Sequence, residues 1–378
     1  MNILKRNTAL DIVRIVAFFS VVAIHFWLYT GYYEVNLSGI PMLFFTVLRG
    51  AVSYCVPLFI MLSGYLLNQK KLSKRYYLGI VKILGTYVLS AIICMIFKHL
   101  YFGDDLTFQL TLFSILDYKG ANYAWYIEMY IGLFLLIPFL NTMYHGLEGK
   151  GQKKTLIWTL IGLSALPTIA NIYNFMEPGW FMNPTISDSY QKLIPDWWMM
   201  IYPVTYYMIG AYLREYPIKM KKRYNLLLFV VAACLFGLFN YYRDYGRNYS
   251  WGLYTEWHSV QALVLAVLVF LFFSQRNLTK CPTPVKKTLA HLSDLCLGAY
   301  LMSYIADCIF YPFLYKVAPT LNHRALYFIP MVLLVGCASL LLSEVLHLLY
   351  KALEWLITAI FKQKKKSTDA KELVKTKS

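Results

Sequence analysis

The sequence predicts an all-α, polytopic transmembrane helical bundle of about ten spans, with both termini cytoplasmic. Three observations carry that prediction. Hydrophobic residues make up 59% of the 378 positions and charged residues only 15%, against roughly 45–50% and about 25% in an average soluble domain. With a mean hydropathy of +0.50, the apolar excess must face lipid rather than a single oversized core. The apolar residues also gather in continuous stretches near the roughly 20 residues that a helix needs to cross a hydrocarbon layer about 30 Å thick. Finally, lysines and arginines collect in alternate loops.

In chain order the expected spans are Thr8 to Tyr29, Met42 to Leu67, Leu78 to Phe97, Tyr123 to Tyr144, Thr155 to Tyr173, Trp198 to Leu213, Asn225 to Tyr241, Trp257 to Phe273, Leu295 to Tyr315 and Ala325 to Trp355. Lipid-facing barrel strands alternate apolar and polar residues over about ten positions, and these runs do not. A cleavable leader is not expected, because Asp11, Arg14 and His25 fall inside the first run. With the amino terminus inside, the inner loops and tail hold 25 Lys and Arg and the outer loops 7, which fixes the orientation and makes most of the +17 net charge a topology signal. Nucleic acid is not an expected partner; the lipid bilayer is. The outer loops instead collect acids and aromatics, which suits sugar-like ligands. Residues 1–360 read as one integral-membrane domain in a cell (plasma or inner) membrane, and 361–378 as a basic cytoplasmic tail without order. The seven cysteines lie almost entirely inside apolar runs, so neither a disulfide nor a metal site is expected.

Ionisable groups within the spans point to chemistry, because each is costly there unless it faces a protein-lined interior. Asp11 and Arg14 are three apart and can pair. Arg14 and His25 are 11 residues apart, nearly three full turns, so they share one helix face about 16 Å apart along the axis. From this spacing alone two readings stay open: a functional pair, or a snorkelling arginine with a hydrogen-bonded core histidine. Arg49, Lys82 and Glu128 in the following spans favour the first, since several cations reaching one interior suit a phosphate-bearing ligand. The bland alternatives are an Arg49–Glu128 pair and an inward-snorkelling Lys82. A neutral imidazole takes a proton from a hydroxyl near pH 7 without heavy tuning, so His25 fits a base that activates an acceptor alcohol. Glu256 and His258 border an outer loop as acceptor-side candidates beside Glu128, and outer tryptophans such as Trp180, Trp197, Trp198, Trp251 and Trp257 can stack on sugars or belong to the interfacial belt.

The run LDIVRIVAFFSVVAIHF resembles the opening signature of membrane acyltransferase family 3, with its Arg and His at Arg14 and His25. VPLFIMLSGYLL from Val56 to Leu67, WYIEMYIGLFLLIPFLN from Trp125 to Asn141, YYMIGAYL from Tyr206 to Leu213 and LGAYLMSY from Leu297 to Tyr304 resemble later family segments in the same order. The resemblance implies a bundle of about ten helices that moves an acyl group, usually acetyl, from cytoplasmic acetyl-CoA to a hydroxyl of a cell-surface or lipid-linked glycan. It implies catalytic roles for Arg14 and His25 and no permanently bound cofactor; the residues themselves suggest donor binding by Arg14, Arg49 and Lys82, with support from Asp11, Ser63 and Tyr65. The chain departs from the family where a basic R-x-x-R pair opens the third span, here Gly79 and Lys82, and at two frequent histidine positions, here Tyr123 and Ser303. The competing reading is an exporter of a polysaccharide or small anion, with Arg14, Arg49 and Lys82 along its path; that class more usually carries inverted repeats or broken helices.

Overall fold

A computed structural model describes residues 6–375, with side chains through 356 and at 358 and 359. The chain is almost wholly helical, as the apolar runs require, because backbone groups in a bilayer must be satisfied within their own segment. The helices are α1 (Thr8–Tyr29), α2 (Gly39–Ala51), α3 (Cys55–Leu67), α4 (Lys74–Leu78), α5 (Ile80–Phe102), α6 (Phe108–Leu116), α7 (Trp125–Gly146), α8 (Gly149–Ser164), α9 (Pro167–Ala170), α10 (Tyr202–Glu215), α11 (Lys222–Arg243), α12 (Val260–Ser274), α13 (Thr283–Val317), α14 (Leu321–Leu326) and α15 (Phe328–Lys375). Seven segments among the described residues are long and apolar enough to span a bilayer. Shorter helices, α8, α10 and α12, occupy the other three expected places. The expected tail at 361–378 falls on residues whose side chains lie outside the described set.

α1 matches its expected bounds and begins where the Asn7 side chain accepts the Ala9 amide, a standard N-terminal cap. The second expected span is two helices instead of one. Pro57 in the first turn of α3 cannot continue an upstream helix, because its ring clashes with the carbonyl four residues back. The chain therefore breaks at residues 52–54. Ser53 Oγ donates to the Gly50 carbonyl, Gln261 Nε2 donates to Ser53 Oγ, and Asn240 Nδ2 donates to Gln261 Oε1, so side chains supply partners that the interrupted backbone lacks. The fifth span is likewise cut short: Pro167 starts α9 after α8 has ended at Ser164.

The core is built around α1, whose apolar window is 72% buried against 22% for α11 at the rim. α1 packs against α3, α12, α13 and α15. α3 crosses α10 at a backbone-to-backbone approach: a Cβ on Gly64 would sit 1.9 Å from the Tyr207 carbonyl oxygen, and one on Gly210 2.0 Å from that of Met61. Two runs quoted for the family resemblance thus meet through glycines, as small residues allow in membrane interfaces. On α11, Leu227, Val231, Leu235 and Leu238 are exposed, an apolar face suited to lipid. The segment after α1 is pinned to the loop after α11, with the Leu37 amide donating to the Arg247 carbonyl and the Gly246 amide to the Leu37 carbonyl.

Candidate active site

The first-span residues point at one neighbour. Arg14 Nη1 donates to Ser293 Oγ on α13 at 2.5 Å, and His25 Nδ1 faces Asp307 Oδ2 on the same helix at 3.4 Å. Residues 14 and 25 therefore do share a face, and α13 runs beside α1 in the same direction. Asp11 pairs with Arg14 as expected, at 3.8 Å, but its closer partner is Arg6, with Nη2 at 2.6 Å and Nε at 2.8 Å. Arg6, which also reaches Asp294 at 2.9 Å, takes the carboxylate because its planar fork matches both oxygens. Arg14, held by Ser293 and within ion-pair range of Asp11, also borders open space.

That space is an apolar chamber of about 300 Å³ lined by Arg14, Val21, Ser63, Tyr126, Tyr130 and Tyr300, among others. Ser63 lies on its wall with its hydroxyl donated to the Phe59 carbonyl at 3.1 Å, a bond that occupies its proton and suits packing rather than attack. Arg14 also lines a second, more polar cavity of about 260 Å³ with Lys82, Ser293, His347 and Tyr350. Arg14 and Lys82 thus come together as expected, at the inner end of α1. Tyr65 faces the other way, ring to ring with Phe270 at 5.5 Å, so it does not support this site.

The chamber stops one helical turn short of His25: Val21 is on its wall and His25 is not. The imidazole is buried, 8% exposed, and stacks on Tyr123 with centroids 4.0 Å apart. The Tyr123 hydroxyl donates to Asp307 Oδ2 at 2.8 Å and pairs with the Tyr29 hydroxyl at 2.8 Å. Tyr300 donates its hydroxyl to the Tyr123 carbonyl, sealing the layer between chamber and imidazole. Asp307, completely buried, is the candidate site residue that the sequence reading passed over. Its signal was available: it is an acid in the middle of the ninth apolar run, and the rule that picked out Arg14 applies to it equally. His25 Nδ1 is within ion-pair range of this carboxylate but makes no hydrogen bond to it or to any other group, so the carboxylate acts on the imidazole through its charge.

Arg49 does not join Arg14 and Lys82. It ends α2 with its guanidinium 4.2 Å from the Trp251 ring and 4.6 Å from the Tyr249 ring, and Nε donates to the Tyr33 hydroxyl at 3.2 Å. These partners follow α1 or lie in the loop between α11 and α12, at the His25 end of the bundle. Donor binding by Arg49 is therefore at odds with its position, and so is a pair with Glu128, which is exposed on α7. Glu256 and His258 lie in that same loop. Burial pushes the Glu256 carboxyl up, opposed by the charge of Arg49. Burial also pushes the His258 imidazole down, and its Nε2 has no hydrogen-bond partner.

A buried His–Asp pair above an apolar chamber, with two cations at the opposite end of one central helix, defines a multi-pass membrane protein equipped for group transfer. The family model described as "Acyltransferase domain", that of membrane acyltransferase family 3, matches residues 7–348, and the chain belongs to this family. It is an acyltransferase. No curated protein and no solved structure matches it.

Proposed function

We propose that the protein moves an acetyl group from cytoplasmic acetyl-CoA to a hydroxyl of a cell-surface or lipid-linked glycan, with His25 as general base. The observation that carries this reading is the placement of Arg14 and His25 on one face of α1, the first on the chamber and the second against Asp307. Phosphates of the donor bind at Arg14 and Lys82, where charge and forked donors suit them, and the thioester arm lies along the apolar chamber. The Tyr123–Tyr300 layer has to part for the thioester to reach the imidazole. The acceptor hydroxyl arrives from the opposite side. His25 Nε2 takes its proton as the oxygen attacks the thioester carbonyl. The C–S bond then breaks, and the departing thiolate takes that proton from the imidazolium, so base and acid roles fall to one ring. Asp307 stabilises the imidazolium formed between those two steps, in the way a buried carboxylate serves a catalytic histidine.

The test is transfer of labelled acetyl from acetyl-CoA in membranes, read with the proton-NMR acetyl-methyl signal of the surface glycan. His25→Ala should abolish both while leaving the amount of folded protein unchanged. Full acetylation by His25→Ala refutes the base assignment, and loss of the whole polymer with acetylation unaffected supports export instead.

A further inference from the structure

Arg49 has both guanidinium Nη atoms buried without a hydrogen-bond partner, and its side chain is 0% exposed. Burying a charge without an ion-pair contact is unfavourable; the Glu256 carboxyl is near enough to feel it but makes no such contact, and the ring faces of Trp251 and Tyr249 offset only part of the lost hydration. One hydrogen bond to Tyr33 leaves the forked edge unused. A fork with two free donors fits one chemistry above others, a bidentate oxyanion. The cage is bounded on its outer side by an exposed residue: Trp251 is 44% exposed and stacks on Tyr33 at 5.7 Å.

Aromatic rings lead from this cage to the imidazole. Trp251 lies 6.4 Å from Trp257, and Trp257 lies 6.3 Å from Trp125 with the rings 12° from parallel. From Trp125 the rings continue through Tyr126 at 6.3 Å, Tyr300 a further 6.0 Å on and Tyr123 another 6.3 Å on, and the Tyr123 ring lies 4.0 Å from that of His25. Such a row is a platform for sugar rings. We infer that Arg49 is the anchor of an acceptor subsite that selects saccharides bearing an oxyanion, either the carboxylate of an acidic sugar or a sugar phosphate, and sets them along the Trp251–Trp257–Trp125 row with a hydroxyl toward His25. This rests on the acyl-transfer reading and adds to it the chemical class of acceptor.

The experiment uses the full chain in lipid nanodiscs, with tryptophan fluorescence to follow binding of three probes: a uronic-acid disaccharide, its neutral counterpart and the corresponding sugar phosphate. One or both charged probes should bind at least about tenfold more tightly than the neutral one, the size expected of a charge-assisted pair. Whichever charged probe binds identifies the source of the oxyanion. Arg49→Gln should remove the preference. Arg49→Lys, which keeps the charge the cage surrounds but not the fork, is the second variant and should lose most of it. Trp251→Ala, at an exposed position, should weaken all three probes. Equal binding of charged and neutral probes, or an undiminished preference in Arg49→Lys, overturns the inference. Acetyl-CoA titration of the same samples separates the two levels. Saturable donor binding without oxyanion preference refutes the subsite alone, whereas absent donor binding refutes acyl transfer itself.

Discussion

Asp307 illustrates what a single residue contributes. Its Oδ2 accepts from the Tyr123 hydroxyl and lies 3.4 Å from His25 Nδ1, so replacing it by Asn keeps the shape while removing the charge that faces the imidazole. Asp307→Asn should lower kcat by about 10²–10⁴-fold, with acetyl-CoA affinity unchanged, as steady-state transfer assays would register. Arg14→Gln should act in the reverse sense, raising the donor KM by about tenfold or more through loss of a charged phosphate contact, with a smaller change in kcat. The sequence made Arg14 and His25 legible because their relation is internal to one helix, where 11 residues fix rise and rotation. The identity of the histidine's partner was not legible, because nothing in the ninth run states which of its faces meets α1. The pairing of Asp11 with Arg14 was legible from spacing, but not its closer partner: Arg6, from the chain ahead of the helix, reaches the same carboxylate at 2.6 Å.

Helices and loops add constraints that no side chain sets alone. The α3–α10 crossing leaves no room for a methyl at Gly64 or Gly210, and the obstructing atoms are backbone. Gly64→Ala should therefore destabilise the fold by about 1–3 kcal/mol, visible as a lower unfolding temperature in detergent, and depress activity only through the folded fraction. The loop after α11 gives a pH test. His258 is held below its ordinary value by burial, so the unfolded chain binds the proton more readily. Its effect on stability is absent well above about pH 6.5 and becomes a growing penalty as pH falls below that value. Thermal unfolding followed from pH 7.5 to 5.5 should show a smaller acid-side drop in His258→Gln than in the wild type. Span existence was readable throughout from apolar length, yet the break in the second run was not anticipated. A hydropathy window averages across Pro57, while the backbone answers to the one missing amide and the clash it brings.

For the molecule as a whole, the charge asymmetry of the loops predicts orientation. A reporter active only inside should work when fused after Lys154, and one active only outside should work when fused after Asp105; the opposite pattern would invert the bundle and put His25 at the cytoplasmic end. The segregation of cations has the same scale. Arg14 and Lys82 share one cavity, whereas Arg49 lies in an aromatic cage at the other end. Composition alone treated the three as one set, because depth along a helix can be counted but the assignment of helices to a common wall depends on packing among all of them.

Attachment of α1 to α13 at two heights, through Ser293 below and Asp307 above, makes the two parallel helices mechanically one beam. Because both contacts join the same two helices, a change at one attachment is expected to alter the geometry of the other. Ser293→Ala combined with Asp307→Asn should accordingly cost less in transfer rate than the two single changes multiplied together.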